Sequence, residues 1–332
     1  MTLRVGVVGL GVGARHVAAY MSLPDCKVVS ICDLDAVKIK DVGDKHGISQ
    51  RFTDFREVTE DPTIDVVSIC TYDDVHAEQV ISCLRSRKHV MVEKPLALHR
   101  KEAERIYDAL TKSGCLLTSN LVLRTSPRFQ EVKQRVAAGE FGDIFLIEGD
   151  YLHNILYKLM DGWRGRMDFY SVTYGGGIHL IDLMRWILGS EVIEVTGMSN
   201  KILTKGSTYE YDDTTAHLLR FDNGALGKTA TTLGSIHPKF HSLNVYGTKQ
   251  SFQNAIPHGR IFSGDEMEEG YDVTTPFAAS DKGALIPNFI EAITNGTEPE
   301  VTAVDVFRVM DVCFATTRSL QTRQVTKVRY LV

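Results

Sequence analysis

Apolar residues in the first third of the chain fall into short runs separated by longer segments with a helical period. The runs "LRVGVVGL", "KVVSICD", "IDVVSICT", "HVMVEKP" and "CLLTSN" have no polar face, which is the pattern of strands covered on both sides. Between them, "ARHVAAYMSL", the segment near 35–46, "DVHAEQVISCLRS" and "HRKEAERIYDALTKSG" read as helices. This alternation predicts an α/β domain over residues 1–121, built on a doubly wound parallel sheet. The pattern changes at about residue 122. A helix "PRFQEVKQRVAAG" leads to a strand "DIFLIEGDYLH", and the β-rich runs "EVIEVTGMSNKIL", "TTAHLLRFDNG", "ALGKTATTLG" and "HSLNVYGT" follow with short turns. The "DNG" between two of these runs is a hairpin signal. A second α/β domain, residues 122–332, is expected to carry a large, mostly antiparallel sheet. Its last helices, "DKGALIPNFIEAITNG" and "AVDVFRVMDVCFATTRSLQ", are expected to return and brace the first domain. Residues 153–173 read as a loop over the site.

"GGGIHLIDLMRWILG" reads as a helix that follows three glycines and ends at Gly189. It is apolar nearly all round, so it should be buried. His179 and Asp182 are three apart and share a face, with Trp186 on the same face. Polar groups on a buried helix need partners. Either they meet a ligand, or His179 is satisfied within the protein and Asp182 pairs with Arg185.

Composition narrows the function classes. The 332 residues are 43% hydrophobic and 24% charged, with a formal charge of −5. No Lys/Arg block points to nucleic acid, and no apolar run approaches the roughly 20 residues that span a bilayer. The N-terminal apolar patch is broken by glycines and reads as a strand rather than a signal peptide. The six cysteines are scattered without a CxxC pair and read as buried thiols in a reducing cytoplasm. A cytoplasmic location is expected. One His and one Asp on the helix give only two metal ligands, so no metal is expected. The three glycines lack the lysine of a P-loop.

In "GLGVGA", Gly9, Gly11 and Ala14 stand at the G-x-G-x-x-G/A spacing, with Val12 and Gly13 inside it. The first glycine permits a turn, the second lets a pyrophosphate approach the backbone, and the small third residue lets helix pack on strand. The helix start then offers N–H groups and a favourable dipole to the phosphates. Asp33 ends the second strand about 20 residues further on, where a carboxylate accepts hydrogen bonds from the adenosine ribose. Its charge would repel a 2′-phosphate and Leu34 offers no cation, so NAD is expected over NADP. The bland alternative is a glycine turn in a nucleotide-free domain. "EKP" (Glu93, Lys94, Pro95) follows a strand, at the edge where open α/β sheets bind ligands. Lys94 there would be a point charge or a proton carrier.

The ordered set "GLGVGARH", "CDLD", "TYDDVH", "HVMVEKPLAL", "NLVLRTSPRF", "GWRG", "GGGIHLID" and "VYGTKQSF" resembles the glucose–fructose oxidoreductase, inositol dehydrogenase and rhizopine-catabolism family, written Gfo/Idh/MocA, over nearly the whole chain. The resemblance implies a Rossmann domain followed by a sheet-based α/β domain, and hydride transfer between NAD(P) and a hydroxyl carbon of a sugar, polyol or nucleotide-sugar. It places Lys94 beside nicotinamide and substrate and gives His179 a substrate-contacting, proton-transferring role. Thr71 and His76 match a TPxxxH-like element, with Tyr72 in place of proline. Cofactor contacts are therefore expected from Gly9, Gly11, Val12, Gly13, Ala14, Asp33, Thr71, His76, Glu93 and Lys94. Arg124, Trp163, Arg164, Asp182 and Tyr174 are candidates for holding substrate, against a packing or surface role for the first three. Many family dehydrogenases carry an aspartate four residues before the histidine, and here that position is Gly175. Other readings on the same scaffold are an NAD-retaining epimerase or glycosidase that works by transient oxidation, and a non-catalytic NAD- or sugar-sensing regulator. The family also implies a homodimer or homotetramer.

Overall fold

The strands β1 (Leu3–Val8), β2 (Cys26–Cys32), β3 (Gln50–Phe52), β4 (Val66–Ile69), β5 (His89–Val92) and β6 (Leu117–Ser119) form one sheet in the order β3-β2-β1-β4-β5-β6. The computed structural model describes residues 2–264, 270–277 and 281–332. All five neighbouring pairs in this sheet are parallel. Val5, Val7, Val66, Val67, Ile69, Val90 and Val92 are fully buried, as continuous apolar runs require. Each such side chain contributes about 1.5–3 kcal/mol relative to an exposed one. The connecting helices are α1 (Leu10–Met21), α2 (Ala36–His46), α3 (Arg56–Thr59), α4 (His76–Arg85) and α5 (Arg100–Ser113). Asp35 caps α2 by accepting from the Val37 N–H at 2.9 Å, and Gly47 closes it at φ 64°. Such a cap is worth about 1 kcal/mol. Because the strands are parallel, Gly9, Asp33, Thr71 and Glu93–Lys94 all follow strand ends on one edge. The strand order reverses between β1 and β4, where open sheets of this kind take ligands.

The second sheet has eleven strands among the described residues. After α6 (Pro127–Ala137) come β7 (Ile144–Glu148), β8 (Tyr151–Leu152), the short helix α7 (Tyr157–Met160) and α8 (Ile178–Leu188). The remaining strands of this run are β9 (Val192–Asn200), β10 (Thr214–Phe221), β11 (Leu226–Thr232), β12 (Phe240–His241), β13 (Asn244–Gly247), β14 (Gln250–Gln253), β15 (Gly259–Ser263) and β16 (Tyr271–Val273). Near the end of the chain lie α9 (Ile286–Asn295), α10 (Ala303–Thr322) and β17 (Thr326–Lys327). Pairing is antiparallel except where β11 meets β7 and β8. The Asp222–Asn223–Gly224 turn joins β10 to β11 as its sequence predicts, with Gly224 at φ 91°.

Three expectations change. "DIFLIEGDYLH" is not one strand: it breaks at Gly149–Asp150. The Asp150 carboxylate there accepts from the Ala230 N–H at 2.7 Å. A Cβ on Gly149 would lie 3.0 Å from Leu180, so α8 approaches the bare backbone. Residues 153–173 are not simply a loop, because α7 and a 3₁₀ turn at Trp163–Arg166 lie within them. The chain also divides discontinuously. Met1–Val122 groups with Asp281–Phe307 and Val332, and Leu123–Ser280 with Arg308–Leu331. The 281–307 segment joins the first unit through specific bonds: Thr118 donates to the Val301 carbonyl at 2.7 Å, and Asn120 to that of Lys282 at 2.8 Å.

Candidate active site

In the first unit the glycine turn is built as a dinucleotide cradle would require. Gly9 holds φ 87°, and a Cβ there would lie 2.5 Å from the Cys70 carbonyl oxygen, so only glycine fits. A Cβ on Gly11 would meet nothing within 4 Å: its surface is open to a ligand. Gly13 also lets the helix approach the strand closely, since a Cβ there would lie 2.9 Å from Val7. The first turn of α1 has no side-chain cap and no acidic residue, which leaves it suited to an anion. Asp33 accepts from the Leu10 N–H at 2.6 Å and the Asp35 N–H at 2.9 Å, which fixes its carboxylate beside the turn. An ionised carboxylate has acceptor sites left for ribose hydroxyls. Leu34, next to it, is exposed and brings no positive charge. These residues fit NAD.

The EKP turn is held from several sides within the same unit. The Lys94–Pro95 peptide is cis, and Lys94 is half-buried. Glu93 accepts from the Asn120 amide at 2.7 Å, and His16 Nε2 lies 3.5 Å away. Burial opposes the charge on Glu93, but Lys282, His16 and Asn120 outweigh it and hold the carboxyl below the usual carboxylate range. His16 continues to Ser68 at 3.2 Å, and Ser68 to the Tyr20 hydroxyl at 2.9 Å, all buried. His76 and Thr71 have partners within the unit. His76 is fully buried; its Nδ1 lies 2.8 Å from the Pro95 carbonyl and its Nε2 3.3 Å from that of Thr71. It ties the segment after β4 to the EKP turn. The Thr71 hydroxyl donates to Gln79 at 2.6 Å.

In the second unit, "TYGGG" is not a turn before a helix. Thr173–Gly177 is a π-helical turn that runs directly into α8. Each glycine admits part of a neighbouring side chain. A Cβ would lie 2.1 Å from the Tyr170 hydroxyl at Gly175, 2.7 Å from the Tyr151 ring at Gly176, and 2.4 Å from Thr231 Oγ1 at Gly177. His179 follows, buried at 4% exposure. The Tyr151 ring stacks on it at 6.3 Å and 18°, and His241 meets it edge-on at 6.4 Å. The Tyr151 hydroxyl lies 3.3 Å from His153 Nδ1. Burial pushes that hydroxyl up to about 12, with the Arg164 charge pulling the other way. Tyr151, His153, His241 and Tyr170 escape a reading of the sequence because each comes from a different strand or loop. Among the described residues, no group of three or more His, Cys, Asp or Glu is placed to hold a metal ion.

The five candidate substrate ligands have these partners within the second unit. Arg124 and Asp182 form a buried bidentate pair, Nε to Oδ2 at 2.9 Å and Nη2 to Oδ1 at 2.6 Å. Both are almost fully buried, so Asp182 is satisfied by Arg124; Arg185 stands 3.6 Å off and bonds to Glu191. Tyr174 turns to α10, where its hydroxyl accepts from Thr317 at 3.0 Å, and burial raises its pKa far above the ordinary tyrosine value. Arg164 lies over the Trp163 ring at 4.3 Å, and both are half-buried.

Residues 3–121 match the model of an oxidoreductase family with an NAD-binding Rossmann fold, and residues 129–253 that of the GFO/IDH/MocA C-terminal domain. The myo-inositol 2-dehydrogenase of Thermotoga maritima is 26% identical, over 99% of this chain and all of that protein. The scyllo-inositol 2-dehydrogenase (NAD(+)) of Bacillus subtilis is 28% identical over 96% of this chain and 94% of its own length. The oxidoreductase YrbE of the same organism is 30% identical over 74% of this chain and 72% of its own. A levoglucosan dehydrogenase solved with NADH shares the fold, with a TM-score of 0.91 at 22% identity over the full length of both chains. The chain is an oxidoreductase of the Gfo/Idh/MocA family, and its first unit is an NAD-binding Rossmann domain.

Proposed function

We propose that this chain oxidises a secondary alcohol carbon of a sugar or polyol with NAD, and that Lys94 and His179 manage the hydroxyl proton. The observation that carries the reading is the likeness, over almost the whole chain, to two inositol 2-dehydrogenases. Bound NAD supplies the acceptor for the hydrogen and electron pair that leave carbon. The first turn of α1 holds its phosphates, and Asp33 meets its ribose. The Lys94 ammonium stabilises negative charge as it develops on the substrate oxygen. The His179 imidazole accepts the hydroxyl proton as general base. Tyr151 fixes the plane of that imidazole by stacking on it.

Thermal melts with NAD, NADP and a polyol panel, followed by NADH assays, test the reading. NAD should raise the melting temperature more than NADP, and at least one polyol should yield NADH. Lys94→Ala should lower turnover by about 10²–10⁴-fold, the usual worth of general acid–base help, with NAD binding intact. Near-normal turnover in that variant would refute the role of Lys94. Firm NAD binding with no NADH from any polyol would favour a sensor on the same scaffold.

A further inference from the structure

The start of α8 is costly to build. Three successive glycines lie inside a helix, where each is worth roughly 1 kcal/mol less than alanine. The π-helical form is rare and gathers at functional sites. What the glycines admit is specific. At Gly175 the Tyr170 hydroxyl stands 2.1 Å from the Cβ position and its Cζ 3.0 Å, so the polar tip rather than the ring fills the space of the missing side chain. Gly175 stands four residues before His179 on the π-turn that runs into α8, so this space lies about one helical turn before His179. The next glycine admits Tyr151, which stacks on His179. Tyr170 and His179 are buried to nearly the same degree, at 3% and 4% exposure.

We propose that Tyr170 is a catalytic residue, its hydroxyl hydrogen-bonding the substrate oxygen from the place that a side chain at position 175 would hold. This rests on the hydride-transfer reading above. The tyrosine donates a hydrogen bond to the oxygen that becomes the carbonyl, and His179 takes that oxygen's proton. No proton leaves the tyrosine. A neutral phenol acts by donating to that oxygen, whereas a carboxylate at 175 would act only by taking up the hydroxyl proton, and only while ionised. Gly175 and Tyr170 are thus alternatives: a carboxylate at 175 overlaps the hydroxyl, and removing the hydroxyl makes room for it.

Steady-state kinetics of Tyr170→Phe, Gly175→Asp and the double variant test this, with melts and NAD titrations of each. Tyr170→Phe should keep its melting temperature and NAD affinity and lose kcat about 10–100-fold, with KM changed less. The double variant should regain at least tenfold in kcat over Tyr170→Phe and acquire a new acid limb in its pH profile. A kcat within twofold of the parent in Tyr170→Phe overturns the proposal. So does a loss that follows a fall in melting temperature, or a double variant no better than Tyr170→Phe, since both mark a packing role. If the parent chain forms no NADH from any polyol, the hydride-transfer reading falls, and this proposal with it.

Discussion

Arg124 and Asp182 show how a residue's partner decides its role. The three-residue spacing of His179 and Asp182 is visible in the sequence, but the bond from Arg124 closes a long loop that no local pattern records. Asp182→Ala should remove the bidentate partner of a buried guanidinium and cost about 3–5 kcal/mol in denaturant unfolding. A variant of unchanged stability with a raised KM would return Asp182 to the substrate. His217 on β10 makes a second residue-scale test. Burial pushes its pKa down to about 4 from an ordinary 6.5. The folded chain therefore holds this imidazole neutral while the unfolded chain binds a proton, so its contribution is whole above about pH 6.5 and is lost progressively toward pH 4. The loss amounts to roughly 3 kcal/mol at the acid end. His217→Gln should flatten the fall in stability across that window. An unchanged slope in melts from pH 7 to about 4 would assign the acid sensitivity elsewhere.

Helix α1 and its glycine turn were the most legible element, because a strand ending in glycine and a helix opening after it leave a local signature. Gly13, inside the motif, adds a close helix–strand contact of its own. Gly9→Ala puts a Cβ on the Cys70 carbonyl at positive φ and should cost about 2–4 kcal/mol in stability. Gly11→Val meets no protein atom at its Cβ, so it should fold normally and bind NAD at least tenfold more weakly. Equal NAD affinity in Gly11→Val, measured by titration, would place the pyrophosphate elsewhere. The buried strands of the first sheet were readable for the same local reason. The π-turn was not, because three glycines carry no periodicity. The break after β7 was not readable either, because the Asp150 carboxylate that holds it bonds to a distant strand.

At the scale of the whole molecule, two sheets of the expected kinds are present, but the partition of the chain is not the simple one. Residues 281–307 group with the first unit, where Val301 and Lys282 accept bonds from the end of β6 and its following residue. The return of α9 to the first domain was legible from its amphipathic pattern and place in the chain; the point at which the chain passes back to the second unit, inside α10, was not. Bound NAD at about 100 times its Kd should add about 2.7 kcal/mol to the stability of the unit that holds it. The central claim is that hydrogen passes directly from a substrate carbon to NAD. Incubating the enzyme with NAD and a polyol deuterated at its carbinol carbons, then weighing the nucleotide by mass spectrometry, tests this most directly. One deuterium per reduced nucleotide, formed about 10²–10⁴-fold more slowly by Lys94→Ala, is the predicted result; reduced nucleotide without deuterium, or a bound polyol that never reduces NAD, would contradict it.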